Sequence, residues 1–189
     1  RATSRVSPFP ACGGGALGPA CVPGRVPQVA VFPDDPNHYM IAEASGGVWM
    51  TANNGTTWTP VFDTYGSYSI GWIAIDPKNP SIVWVGTGEN NNQRSVSYGD
   101  GVYKSLDAGK TWESVGLKDT HHIAKIEIDP LNPNTVYVAA MGHLFSDNSE
   151  RGVFKTTNGG RTCEKVLFLS DNVGVLDLVM NPRNSYLLY

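Results

Sequence analysis

One eight-residue pattern occurs three times in this chain, and few folds can accommodate it. The copies are Thr51-Ala52-Asn53-Asn54-Gly55-Thr56-Thr57-Trp58, Ser105-Leu106-Asp107-Ala108-Gly109-Lys110-Thr111-Trp112 and Thr156-Thr157-Asn158-Gly159-Gly160-Arg161-Thr162-Cys163. Each reads hydroxyl, any, Asp or Asn, any, Gly, any, Thr, and then Trp, replaced in the third copy by Cys163. Successive copies begin 54 and 51 residues apart, and a fixed period of this size is the signature of a repeat architecture.

The box closes a longer repeat. Val29-Ala30-Val31-Phe32-Pro33-Asp34-Asp35-Pro36 matches Ile73-Ala74-Ile75-Asp76-Pro77-Lys78-Asn79-Pro80 and Ile126-Glu127-Ile128-Asp129-Pro130-Leu131-Asn132-Pro133, and Leu178-Val179-Met180-Asn181-Pro182-Arg183-Asn184 begins a fourth unit. After each proline turn comes a β-rich run, then Gly-Val-aromatic (Gly47-Val48-Trp49, Gly101-Val102-Tyr103, Gly152-Val153-Phe154), the box, and a short closing run. These runs are rich in Val, Ile, Tyr and Trp and bounded by Gly, Pro, Asn and Asp, which predicts four short strands per unit, A to D. No stretch keeps a 3.6-residue apolar period. The expected fold is therefore all-β: a β-propeller of four-stranded antiparallel blades, about three and a half of them, over residues 24–189. The blades are expected at 29–62, 73–115 and 126–168, with the start of a fourth at 176–189. Residues 1–23, rich in Pro, Gly and Ala, read as an irregular lead-in or linker.

The box chemistry is that of a hairpin turn between strands C and D. Asn53, Asp107 and Asn158 can accept bonds from amides further along the turn. Gly55, Gly109 and Gly160 supply positive φ, Thr57, Thr111 and Thr162 satisfy remaining turn groups, and Trp58 and Trp112 pack on a neighbouring sheet. Cys163 breaks the rule. Losing an indole from a packed site costs about 3 to 5 kcal/mol, so a void or a loosened third blade is expected, with Cys163→Trp raising the melting temperature.

The formal net charge of −3 and the absence of a Lys/Arg cluster argue against nucleic acid. No apolar run approaches the roughly 18 residues of a membrane span. With 41% hydrophobic residues the chain can bury a core. Its three cysteines, Cys12, Cys21 and Cys163, fit either one disulfide plus a free thiol or three free thiols. None has metal-site spacing, and neither a metal nor a cofactor is expected. A closed propeller has four to eight blades, so the expectation is a portion of a longer protein, or a ring completed by association, in a secreted, periplasmic or cell-surface setting.

The boxes resemble the Asp-box, or BNR, repeats of sialidases, sortilin-type receptors and xyloglucan-active glycosidases. From about Gly18 to Tyr189 the chain resembles the amino-terminal propeller of bacterial sortilin-like (VPS10-like) BNR-repeat proteins, in Gly18-Pro19-Ala20, Gly24-Arg25-Val26, Ala44-Ser45-Gly46-Gly47-Val48-Trp49, Gly86-Thr87-Gly88-Glu89-Asn90 and Tyr98-Gly99-Asp100-Gly101-Val102-Tyr103-Lys104-Ser105. That resemblance implies peptide or protein ligands. Arg25-Val26-Pro27 resembles the sialidase Arg-Ile-Pro signature without its preceding aromatic residue. The xyloglucanase likeness implies a catalytic Asp just before the Gly-Gly of the first blade, where this chain has Ala44-Ser45-Gly46-Gly47 and no carboxylate.

Strand parity sets which loops share an end. The A–B turns and the boxes lie at one end, and the longer B–C and D–A loops lie at the other, where binding residues concentrate on a rigid scaffold. The candidates there are Glu89, Asn90, Arg94, Tyr98 and Asp100 in the second B–C loop, His143 and Arg151 in the third, and His121 and His122 in a D–A loop. Glu89 and Asp100 can supply the carboxylate pair of a glycosidase, or pair with Arg94 and hold the loop shut. Arg94 or Arg151 can clamp an anion. Glu127 replaces Ala30, Ala74 and Val179 at an inner-strand position. With Lys125 read as lying on the opposite side of the strand, it is expected to be hydrated and channel-facing. The expected function is a non-catalytic propeller that binds a peptide, protein or glycan on its loop-rich face. The alternative is a glycoside hydrolase whose carboxylate chemistry is completed by blades outside this chain.

Overall fold

Strands rich in β-branched and aromatic residues form where the repeat predicts them in the first three units, and the fourth holds only isolated bridges. The computed structural model describes residues 25–91 and 96–189. The lead-in, with Cys12 and Cys21, and Arg94 lie outside the described residues. Among the described residues, twelve strands make three four-stranded antiparallel sheets, each in simple chain order. The first holds β1 (Gln28–Val31), β2 (Tyr39–Glu43), β3 (Gly47–Thr51) and β4 (Thr59–Pro60). The second holds β5 (Ile70–Ile75), β6 (Val83–Thr87), β7 (Val102–Ser105) and β8 (Glu113–Gly116). A single 3₁₀ turn, Lys118–Thr120, leads into the third, which holds β9 (Ile123–Ile128), β10 (Val136–Ala140), β11 (Gly152–Thr156) and β12 (Glu164–Leu167). The arrangement is a partial β-propeller.

The core lies between blades rather than within them. Met40, Ala42, Val48 and Phe62 of the first blade meet Ile73, Val83, Val85, Tyr103 and Trp112 of the second. Trp84 and Val102 of the second meet Ile126, Val136, Val138 and Phe154 of the third. A third cluster joins Tyr137, Met141 and Val153 to Leu178 and Met180 of the fourth unit. Second strands are covered on both faces, so β6 and β10 are buried throughout, whereas the outermost β12 is exposed along its length. The fourth unit forms only its first hairpin. Met180 bridges Leu188, and Val179 and Tyr189 exchange backbone bonds of 3.0 and 2.9 Å.

The boxes fold alike. In the second, Gly109 N–H donates to Ser105 Oγ (2.8 Å) and Thr111 N–H to Asp107 Oδ1 (2.8 Å). The first repeats this with Thr51 and Asn53, at 2.9 Å each, and the third with Thr156 and Asn158, at 2.9 and 3.0 Å. The box glycines take φ of +81°, +85° and +95°, where any side chain is strained. Each box also donates a backbone bond to the A–B turn of its own blade: Asn54 to Asn37, Ala108 to Ser81 and Gly159 to Asn134. These turns therefore share one end.

The second and third boxes also reach back to the blade before them. Trp112 Nε1–H donates to the Val61 carbonyl (2.9 Å), and its backbone N–H donates to the Tyr65 hydroxyl (3.0 Å). Gly109 lies between Met40 of the first blade and the Trp112 ring. The third box departs from this pattern, with Cys163 at the place of the indole. Its glycine, Gly160, lies against the Trp84 ring and Val115, both from the second blade. Trp84 holds the strand position that Met40 holds one blade earlier, opposite Lys104 as Met40 is opposite Met50. An indole thus still covers the box glycine, supplied by the preceding blade instead of by the box. The cost is a hydrogen bond, because buried Trp84 Nε1 has no partner among the described residues.

Candidate functional site

The opposite end is built from the B–C and D–A loops, which hydrogen-bond to one another. Gly47 N–H donates to Tyr68 O, Gly88 N–H to Ser69 O, Gly99 N–H to His121 O and Met141 N–H to His122 O, at 2.7 to 2.9 Å. The end is therefore a connected surface.

Its carboxylates are mostly occupied. Glu89 is buried and forms an ion pair with Arg25, which enters from the first blade. Asn90 Nδ2 donates to Gly71 O (3.2 Å) and Ala124 O (3.4 Å), at the heads of β5 and β9. Glu89 and Asn90 thus staple three blades together. Asp100 Oδ2 accepts the Tyr103 hydroxyl (2.5 Å), and Oδ1 accepts the Thr87 hydroxyl (3.3 Å). Burial, helped by this carboxylate, pushes the Tyr103 phenol up to about 12. Glu89 and Asp100 are therefore held by separate partners rather than by each other. Arg151, also buried, donates to the carbonyls of His143 (2.5 Å) and Ser146 (3.2 Å). It folds its own loop, and those two bonds leave it poorly placed to clamp an anion.

The histidines come together. His121 and His143 stack with centroids 3.7 Å apart and planes 15° from parallel. The Tyr98 ring lies 5.0 Å from His121 and 5.9 Å from His122. His122 is fully buried, with Nδ1 2.9 Å from the Glu89 carbonyl. Burial first, then the neighbouring imidazoles, lower its pKa to about 4. His121 is lowered as well, by burial and by His143, against a smaller opposing effect of Asp119. No group of three or more His, Cys, Asp or Glu side chains among the described residues is arranged to hold a metal ion.

Glu127 lies apart, on the inner strands. A groove of ≈ 390 Å³ there is lined by β1, β5 and β9 and includes Trp72 and Glu127. Lys125 Nζ is 3.7 Å from Glu127 and 2.8 Å from Asp177. This corrects the placement of Lys125 on the opposite side, since residues two apart on a strand share a face. Burial raises the Glu127 pKa, and Lys125 opposes the shift.

No known family profile matches the chain. It is similar to a xyloglucanase of Hypocrea jecorina, at 27% identity over 158 residues, covering 76% of this chain and 18% of that protein. It is also similar to a xyloglucanase of Acetivibrio thermocellus, at 25% identity over 157 residues, with the same coverage of 76% and 18%. Among solved structures, an ancestral GH74 enzyme matches with a TM-score of 0.68 at 22% identity, over 88% of this chain and 21% of its own. That last likeness concerns the fold. The chain spans less than a fifth of the length of the xyloglucanases it matches.

Three participants at this end escaped the sequence reading. Arg25 is the partner of Glu89, and nothing local in Arg25-Val26-Pro27 signals a contact more than sixty residues away. Phe145, two residues after His143 in the same loop, is two-thirds exposed. Glu43 is buried at the end of β2 with its carboxylate against Gly46, and burial raises its pKa. The signal for Glu43 was available, because an acidic residue closes an otherwise apolar strand, Tyr39–Glu43.

Proposed function

We propose that this chain is part of the propeller of a glycoside hydrolase acting on a xyloglucan-type glucan outside the cytoplasm. The observation that carries this reading is the similarity to two xyloglucanases across 76% of the chain. The loop-rich end supports it, because it gathers exposed aromatic rings and polar side chains on a rigid scaffold. Glycoside hydrolysis uses a pair of carboxyl groups roughly 5 to 9.5 Å apart. Of the two buried carboxyls at this end, Glu89 is engaged by Arg25, whereas Glu43 has no cation within salt-bridge distance among the described residues. Glu43, with its raised pKa, is the candidate proton donor, and the second carboxyl is assigned to residues outside this chain.

The test is release of reducing ends from xyloglucan by the full-length protein, beside an unsubstituted β-glucan. Turnover that falls at least a hundredfold in Glu43→Gln while binding persists is the expected result. Binding without turnover would instead establish the second reading, a non-catalytic module for a peptide, protein or glycan, as the sortilin-like resemblance implies. One observation favours that reading: Ala44 and Ser45 carry no carboxylate where the xyloglucanase likeness calls for one.

A further inference from the structure

Two joints between blades are made on corresponding residues. Gly109 of the second box lies on Met40, and Trp112 Nε1–H donates to the Val61 carbonyl (2.9 Å), both in the first blade. Gly160 of the third box lies on the second blade, where a Cβ would come within 2.8 Å of the Trp84 ring and 3.1 Å of Val115. Lys104 Nζ sits over that ring, 5.0 Å from its centroid, and donates to the Gly159 carbonyl (2.9 Å). A seat for a box thus joins a cross-strand pair to a valine of the outer run. The set is Met40, Met50 and Val61 in the first blade and Trp84, Lys104 and Val115 in the second.

The third blade repeats the set. Tyr137 pairs with Lys155 as Trp84 pairs with Lys104. Lys155 Nζ sits over the Tyr137 ring at 5.2 Å, with no acceptor among the described residues. Val166 follows Glu164 and Lys165 as Val115 follows Glu113 and Ser114. What differs is the cover. Val61 and Val115 are half-buried under a box, whereas Val166 is 46% exposed and runs on into exposed Leu167, Phe168 and Leu169. The boxes show the same contrast from their side. Gly109 and Gly160 are buried, and Gly55, whose box meets no earlier blade among the described residues, is only half-buried. The fourth unit has already reached this side of the third blade, because Leu178 and Met180 pack with Tyr137 and Val153. In each of the three earlier units the box follows the corresponding strands in sequence.

We propose that Tyr137, Lys155 and Val166 form the seat for the box hairpin of the fourth unit, carried by sequence that follows Tyr189 in a longer polypeptide. The relatives have room for such a hairpin, since this chain matches only 18% of each xyloglucanase. The seat specifies its occupant. The fifth box residue is glycine, because a Cβ there would strike the Tyr137 ring as one at Gly160 would strike Trp84. The fourth offers its carbonyl to Lys155 as Gly159 does to Lys104. The eighth is not Trp. A box brings an indole to Met40 and only Cys163 to Trp84, so one side of a joint supplies the ring and a second ring would overpack it. A second copy of this chain is a poorer match, because its first box carries Trp58 to a seat that already holds a ring.

The experiment takes the full-length protein, reads its sequence after Tyr189 and follows amide hydrogen exchange by mass spectrometry. The expected box has glycine fifth and a residue other than Trp eighth, and its amides are protected in the wild type. Val166→Asp should speed their exchange at least about tenfold, and Lys155→Met about fivefold. The amides of β9 to β11 should keep wild-type rates in both variants, because Val166 and Lys155 lie outside the buried core of the third blade. Leu106→Asp, at an exposed apolar position in the second box, is the control and should leave the fourth box unchanged. A Trp at the eighth position, fourth-box amides that exchange freely in the wild type, or a response to Val166→Asp no larger than to Leu106→Asp would overturn the seat. So would a mass in solution that rises with concentration and returns to the monomer value in Val166→Asp, since a second copy would then be the occupant.

Discussion

His122 shows how one side chain ties the loop-rich end to pH. Its ordinary pKa is near 6.5, and in the fold it is about 4. The folded protein thus takes up this proton less readily than the unfolded chain does. The stabilising effect is fully present above pH 6.5 and is lost as pH falls toward 4, amounting to roughly 3 kcal/mol. Urea midpoints measured from pH 7 down to pH 4 should fall, and His122→Phe should flatten that decline between pH 6.5 and 4. Cys163 carries the opposite lesson about reading residues singly. Its motif position calls for an indole, and the ring that covers its box glycine belongs instead to Trp84. Cys163→Trp alone is therefore expected to overpack the joint and lower stability by about 1 to 3 kcal/mol. Pairing it with Trp84→Met, which restores the Met40–Trp112 arrangement, should recover most of the loss. A calorimetric double-mutant cycle measures that coupling.

At the scale of the element, the box serves two turns and two blades at once. In the second box Ser105 and Asp107 close the hairpin, and Trp112 fastens it to the preceding blade. Trp112→Phe should lose the bond to Val61 at a cost of about 1 kcal/mol, and Trp112→Ala should cost about 3 to 5 kcal/mol. Trp58→Ala should cost less in the same thermal unfolding experiment, because the Trp58 ring makes an edge contact with Tyr39 of its own blade. Strand order, the turn chemistry and the sharing of ends were all legible in the sequence, because each depends on residues within about ten positions of one another. What repeats every fifty residues can be read from the repeat. What differs between repeats cannot: Trp84 filling for Cys163, Arg25 meeting Glu89, and the meeting of Tyr98, His121 and His143 all join separate turns of the chain. Even the misplacement of Lys125 was a matter of parity, and the two-residue alternation of a strand sets it beside Glu127.

At the scale of the whole molecule, the two ends divide the work. The box end is repetitive because each blade needs the same closure and the same joint. The loop-rich end is irregular, and its candidate residues were found by position more than by motif. Glu89 and Asp100 were candidates for chemistry, and the structure instead holds both in internal contacts, Glu89 with Arg25 and Asp100 with Tyr103 and Thr87. The histidine pair is joined by a third, His143, which another loop stacks on His121. Carbohydrate turnover and sugar binding by the full-length protein are the measurements that bear on this scale.

The backward reach of the box has a consequence for synthesis on the ribosome. Trp112 grips Val61, and Gly160 seats on Trp84, so each joint is made by a later segment onto an earlier one. A nascent chain lengthens in the same direction, and domains generally form amino-terminal first. Each blade after the first therefore meets a seat that already exists on one side, and its other face is covered only when the unit that follows it emerges.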